Sequence, residues 1–171
     1  MVTVAVSAGL LVLAACAPED VAEVPKPVNL SQEASGYFCN MTILDHPGPK
    51  AQAFVKGNNT PFWFTSARDA IAFSILPESA NAVAVVYMTD MGTVESWENT
   101  ATGSWIKAEA AFYVIESSKR GGMGATEAVP FGTVEGAEGF QAEFGGKVVK
   151  YTEVPQSYVL DANQVSILEE K

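Results

Sequence analysis

Phe64-Thr65-Ser66-Ala67-Arg68-Asp69-Ala70-Ile71-Ala72-Phe73 lines up in register with Phe131-Gly132-Thr133-Val134-Glu135-Gly136-Ala137-Glu138-Gly139-Phe140. In the first segment Thr65 or Ser66 is a helix cap, Asp69 sits in the first turn, and Ala70, Ile71 and Phe73 form an apolar side. The helix ends before Pro77. In the second segment a capped helix runs from about Thr133 to Phe144 and stops at Gly145-Gly146. A polar turn and a short strand precede each helix, and an apolar strand follows it. This weak internal repeat reads as two ββαβ halves, about 36–90 and 105–154, of an α+β fold. One half is too small to build a good core, so the halves are expected to pack into a single domain.

The strands follow from β-branched and aromatic runs. Gly36 to Leu44, Ala51 to Val55, Pro61 to Phe64 and Ala82 to Met88 are expected in the first half. Ala111 to Ile115, Ala125 to Phe131 (interrupted by Pro130) and Val148 to Val154 are expected in the second. Asp90 to Ser104 reads as a connector. The segment from Trp105 is helical by propensity until the strand at Ala111. The tail, 155–171, reads as loose. Phe62, Trp63 and Phe64 are expected to fill the core between the halves.

Ahead of this domain, Val2 to Ala15 is an apolar run too short to span a membrane. It has the length of a signal-peptide core, giving a lipoprotein signal peptide at 1–15. Leu13-Ala14-Ala15-Cys16 has the form of a bacterial lipobox, which makes Cys16 the expected lipidation site. No Lys or Arg precedes the run. Residues 16–35, with Pro18, Pro25 and Pro27, read as an extended tether. The chain is then held to a membrane through Cys16, on the periplasmic side of the cell envelope. A net charge of −10 argues against a nucleic-acid partner, which demands a basic surface.

With Cys16 acylated, Cys39 is the remaining one of two cysteines, with no partner for an internal disulfide. An exported free thiol is an oxidation liability unless it has a task. Met41 lies two positions on, and His46, the single histidine, begins the turn His46-Pro47-Gly48-Pro49. Met123 sits between glycines in Gly121-Gly122-Met123-Gly124, at the matching place in the second half. On a strand Cys39 and Met41 would share one face. Thiolate, thioether and imidazole are the ligand set of Cu(I), and thioether disfavours zinc. Met88 and Met91 follow a buried strand and read as packing residues, with Met91 a further candidate ligand if the site lies in a cleft between the halves. Lys50 reads as structural or docking. Two other functions compete: an enzyme with Cys39 as nucleophile and His46 as base, and a lipoprotein that scaffolds a partner without metal.

Cys39-Asn40-Met41, the run Asp45-His46-Pro47-Gly48-Pro49-Lys50-Ala51-Gln52, Trp105-Ile106-Lys107-Ala108 and the Gly122-Met123-Gly124 turn together resemble the NosL family. These are copper-chaperone lipoproteins of bacterial nitrous oxide reductase maturation. The resemblance covers about Gly36 to Tyr151. It departs from the family pattern at Asn40, where the family has glycine, and at Gly121-Gly122, where Thr-Pro is usual. It implies a two-halved ββαβ fold of the organomercurial-lyase-like architecture and a copper chaperone rather than an enzyme. It also implies Cu(I) held by Cys39 and Met41 with His46 or Met123, and delivery to apo nitrous oxide reductase, directly or through an ABC-type maturation transporter.

Overall fold

The computed structural model describes residues 24–160. The apolar leader, Cys16, the first part of the tether and the last part of the tail lie outside the described residues.

The first half is built on β1 (Ala51–Val55), which takes β2 (Phe62–Phe64) on one side and β3 (Val83–Thr89) on the other, both antiparallel. Helix α1 (Ala67–Ile75) links β2 to β3. Ser66 is its cap, and Ser66 Oγ accepts from the Asp69 N–H at 3.4 Å. The second half repeats the plan. Strand β5 (Phe112–Ile115) lies between β6 (Val129–Phe131) and β7 (Lys147–Lys150), again antiparallel on both sides. Helix α2 (Val134–Phe144) links β6 to β7, and Thr133 Oγ1 accepts from the Gly136 N–H at 3.1 Å. Each such cap contributes about 1 kcal/mol. Pro130 is tolerated because β6 is an edge strand.

Strand alternation explains how the halves join. Ala51 and Ala53 of β1 and Val86 and Met88 of β3 face one core, together with Ile71 and Phe73 of α1. Tyr113 and Ile115 of β5, with Ala108, Ala111 and Ala128, complete that same core from the second half. The intervening residue Val114 points to the opposite face, where Phe131 and Ala137 pack with Phe140. The pairing of halves expected from the repeat is therefore one continuous apolar interior. The abundance of alanine on its inner face lets the layers approach closely.

Several elements depart from the reading of the sequence. Gly36 to Leu44 is not a strand. It is a closed loop in which the Asn40 N–H donates to Gly36 O at 2.7 Å and the Gly36 N–H to Met41 O at 2.9 Å. Asn40 takes φ +54°, the left-handed region, at the place where glycine is usual in the family pattern. Asparagine tolerates that region better than most residues, so the loop survives the replacement. Trp105–Lys107 is a strand, β4, added to the edge of β3 rather than a helical turn. Pairing with Tyr87, Met88 and Thr89 overrides the local propensity. Strand β7 ends at Lys150, and a 3₁₀ turn follows at Tyr151–Glu153.

Two stretches flanking the halves also depart from expectation. Residues Gln156–Val159 form a short helix, α3, and Val159 and Leu160 are buried in the main core. Before the domain, the Val28 N–H donates to Gln52 Oε1 and Gln52 Nε2 to Val28 O, at 2.9 and 3.0 Å. Tyr87 Oη donates to Pro25 O at 2.8 Å. The residues from Pro25 onward thus cover the outer face of the first sheet and do not hang free of it. Gln52, buried on a strand, has its hydrogen bonds supplied by this cover.

Candidate metal centre

The Cys39 loop is pinned at its base and open at its tip. The Tyr37 N–H donates to Trp63 O at 2.7 Å and the Ile43 N–H to Ala34 O at 2.9 Å. Ile43 is fully buried and anchors the return. Tyr37, Phe38, Met41 and Leu44 project outward, and Met41 is 44% exposed. Tyr37 and Phe38 rest edge-on against Phe62, Phe64 and Phe73, which stiffens the loop without closing it. Cys39 is partly exposed, with Sγ 3.9 Å from Thr65 Oγ1, beside the start of α1. Gly36 leaves room for that sulfur, since a Cβ there would lie against it.

His46 lies on the far side of the loop, where it meets the second half. Its Nδ1 is 3.4 Å from Gly122 O, and its Nε2 is buried without a partner. A Cβ on Gly122 would come within 2.6 Å of His46 Cβ and 2.8 Å of Pro47 O, so in this chain a side chain there would push the two segments apart. Met123 follows directly and is 48% exposed. The structure thus brings His46 and the Met123 turn together across 76 residues. It places Cys39 and Met41 on the one loop that leads to them. Met41 and Met123 are large apolar side chains left in solvent, which packing does not explain. Met88 is fully buried, as a packing residue should be, and Met91 packs beneath α2 with Phe131 and Phe140. Among the described residues no three His, Cys, Asp or Glu side chains gather as in a zinc or calcium site.

Two buried charges flank the turn. Lys50 is almost wholly buried, and its Nζ donates to His46 O at 2.6 Å, Pro47 O at 3.2 Å and Gly48 O at 2.8 Å. Three carbonyls use all three ammonium donors. Lys50 therefore fixes the backbone of the His46-Pro47-Gly48 turn from inside. Burial pushes its pKa down to about 8, opposed by the nearby Glu127 carboxyl. Gly48, at φ +82°, donates its N–H to Trp97 O at 2.7 Å, so the connector braces the turn from outside. Glu127, fully buried, has its pKa pushed up to about 7 by burial, against three hydrogen bonds that favour its ionised form. Lys50 stands in the run Asp45 to Gln52 and reads from the sequence as structural or docking, whereas Glu127 belongs to no motif. The available signal for Glu127 is a lone acid in the apolar run Ala125 to Phe131.

Residues 27–159 match the NosL family model. The chain belongs to the NosL family. The Copper-binding lipoprotein NosL of Achromobacter cycloclastes is 43% identical over 158 residues, covering 92% of this chain and 81% of that protein. The Copper-binding lipoprotein NosL of Stutzerimonas stutzeri is 32% identical over 144 residues, covering 84% of this chain and 74% of that one. Among solved structures, the crystal structure of the copper chaperone NosL from Shewanella denitrificans superposes with a TM-score of 0.72 at 29% identity. It spans 77% of this chain and 97% of its own. The solution structure of apo-NosL from Achromobacter cycloclastes matches with a TM-score of 0.50 at 41% identity, over 65% of this chain and 89% of that one. The NosL relatives are named for carrying copper, not for catalysis, which agrees with reading this chain as a non-enzyme.

Proposed function

We propose that this NosL-family chain is an envelope lipoprotein that binds Cu(I) and delivers it for assembly of the copper centre of nitrous oxide reductase. The observation that carries the reading is the juxtaposition at the seam. A partly exposed thiol, Cys39, shares a rigid loop with the exposed thioether Met41. The loop ends at His46, whose Nδ1 lies 3.4 Å from the carbonyl of Gly122, next to the exposed thioether Met123, and whose Nε2 has no partner. Sulfur donors with one imidazole select Cu(I) over harder ions. Cys39 and Met41 are the firm pair, with His46 or Met123 completing the set.

Carriage also needs release. Ligands on solvent-exposed tips leave space for an incoming donor from a recipient before the last bond to the carrier breaks. The exposed apolar side chains Tyr37, Phe38 and Leu44 on the same loop offer a recipient an apolar contact beside the thiol. The recipients proposed are apo nitrous oxide reductase or an ABC-type maturation transporter, reached from an anchor at Cys16 on the periplasmic side. The curated relatives' names as copper-binding lipoproteins support the metal and the anchor.

The test is an anaerobic Cu(I) titration against a chromophoric chelator, paired with X-ray absorption on the loaded protein. Cys39→Ser and Met41→Ala are expected to weaken binding by about tenfold or more each. His46→Ala is expected to remove a nitrogen scatterer if it completes the set, and Met123→Ala a sulfur. Parent-like binding by both Cys39→Ser and Met41→Ala would end the proposal.

A further inference from the structure

The halves meet at a buried carboxyl group that the copper reading does not use. Glu127 stands in the second half, and its Oε1 accepts from Ser66 Oγ at 3.2 Å, the Arg68 N–H at 2.9 Å and the Ala128 N–H at 2.9 Å. Two of those donors open helix α1 of the first half. The carboxyl therefore caps, from across the seam, a helix end whose N–H groups have no partner within the helix. Its backbone carbonyl accepts from Tyr158 Oη at 2.9 Å, tying in the C-terminal segment as well. Its Oε2 is buried without a partner and faces Gly121, where a Cβ would lie 2.7 Å away. Such a group in a native interior calls for an explanation.

Following the contacts outward reaches both the Cys39 loop and the Met123 turn. Ser66 adjoins Thr65, whose hydroxyl meets Cys39 Sγ. Gly121 adjoins Gly122, whose carbonyl meets His46. The turn between is closed by the Gly124 N–H donating to Gly121 O at 2.8 Å and the Gly121 N–H to Ala125 O at 3.0 Å. Met123 rides on that turn.

We propose that Glu127 is a positioning residue of the candidate copper site, one carboxyl group that sets the separation between the Cys39 loop and the Met123 turn. It acts on the first through Thr65-Ser66 and on the second through Gly121-Gly122. The inference rests on the copper reading above. Glu127 touches neither sulfur nor imidazole. Its charged surroundings are Asp69 and Arg68 on α1 and Lys50 beside the turn. A proton, when present, resides on the partnerless Oε2, so Oε1 remains an acceptor in either form and a glutamine oxygen can replace it.

The experiment compares the full chain in mild detergent with Glu127→Gln, Glu127→Asp and Glu127→Ala, with Cys39→Ser as reference. Cu(I) affinity is read by chelator competition, and sulfur and nitrogen scatterers by X-ray absorption. Far-UV circular dichroism checks the fold. Glu127→Gln is expected to keep the parent affinity and scatterer count. Glu127→Asp, one methylene short, and Glu127→Ala are expected to lose about tenfold or more with altered sulfur coordination, the low end for groups outside the ligand set. Should Glu127→Ala not fold, Glu127→Asp decides. Parent-like affinity and coordination in folded Glu127→Asp, or a loss in Glu127→Gln matching that in Glu127→Asp, would overturn the proposal. Parent-like binding by Cys39→Ser would instead remove the copper reading and this inference with it.

Discussion

Replacing Glu127 with glutamine should change how stability responds to pH. An exposed glutamate ionises near 4.5, whereas burial raises Glu127 to about 7 in the folded chain. Between those values the folded protein keeps a proton that the unfolded chain has released. Stability therefore falls as pH rises through this window, and the loss is complete above about 7. The gap corresponds to about 3 kcal/mol. Glutamine has no such titration, yet its amide oxygen can take the same three donors. The stability of Glu127→Gln relative to the parent is thus expected to rise by about 3 kcal/mol from pH 4.5 to pH 8. Denaturant unfolding of both proteins at intervals across that range measures the difference, which includes the smaller effect of the carboxyl on its charged neighbours Lys50 and Asp69. Parallel curves would refute the assignment of a buried, proton-holding carboxyl at this position.

Two further perturbations test the turn beside it. Gly122→Ala places a methyl against His46 Cβ and Pro47 O, two points that cannot both yield, and is expected to destabilise by about 1–3 kcal/mol. Thermal unfolding checks this, and a shift in the His46 ring resonances would report the displaced loop. Lys50→Met removes a costly buried charge but strands the carbonyls of His46 and Pro47, while Gly48 O keeps the hydroxyl of Thr100 at 2.9 Å. The net expectation is a loss of about 2 kcal/mol or more by denaturant unfolding, since a buried acceptor without a donor costs about 1–3 kcal/mol. A neutral result would mean that water replaces the ammonium.

Much of this architecture is legible in local chemistry. Ser66 and Thr133 announce their helices because a hydroxyl at a helix start satisfies a free N–H wherever it occurs. Pro77 and Gly145-Gly146 stop them for equally local reasons, the pair of glycines at φ +72° and +97°. The repeat then gives two ββαβ halves, and the size of a half dictates that they share a core. The candidate ligands were equally visible, since soft donors are few: one histidine, one thiol after the lipobox, and methionines in polar or glycine-rich turns.

What local pattern could not give was anything set by contacts far apart in sequence. Tyr37 to Leu44 has strand-like composition, yet its hydrogen bonds close on itself and on Trp63. Trp105-Ile106-Lys107 is drawn into a sheet by β3. Residues 156–160 are held against the domain because the shared core has room for Val159 and Leu160. The sequence by itself determined the two halves, their helices and the types of atom offered to a metal, because each depends on near neighbours. The tertiary structure decided that His46 meets the Met123 turn and that Glu127 and Lys50 are buried around it. Those relations exist only where the two halves touch, and no spacing along the chain encodes them.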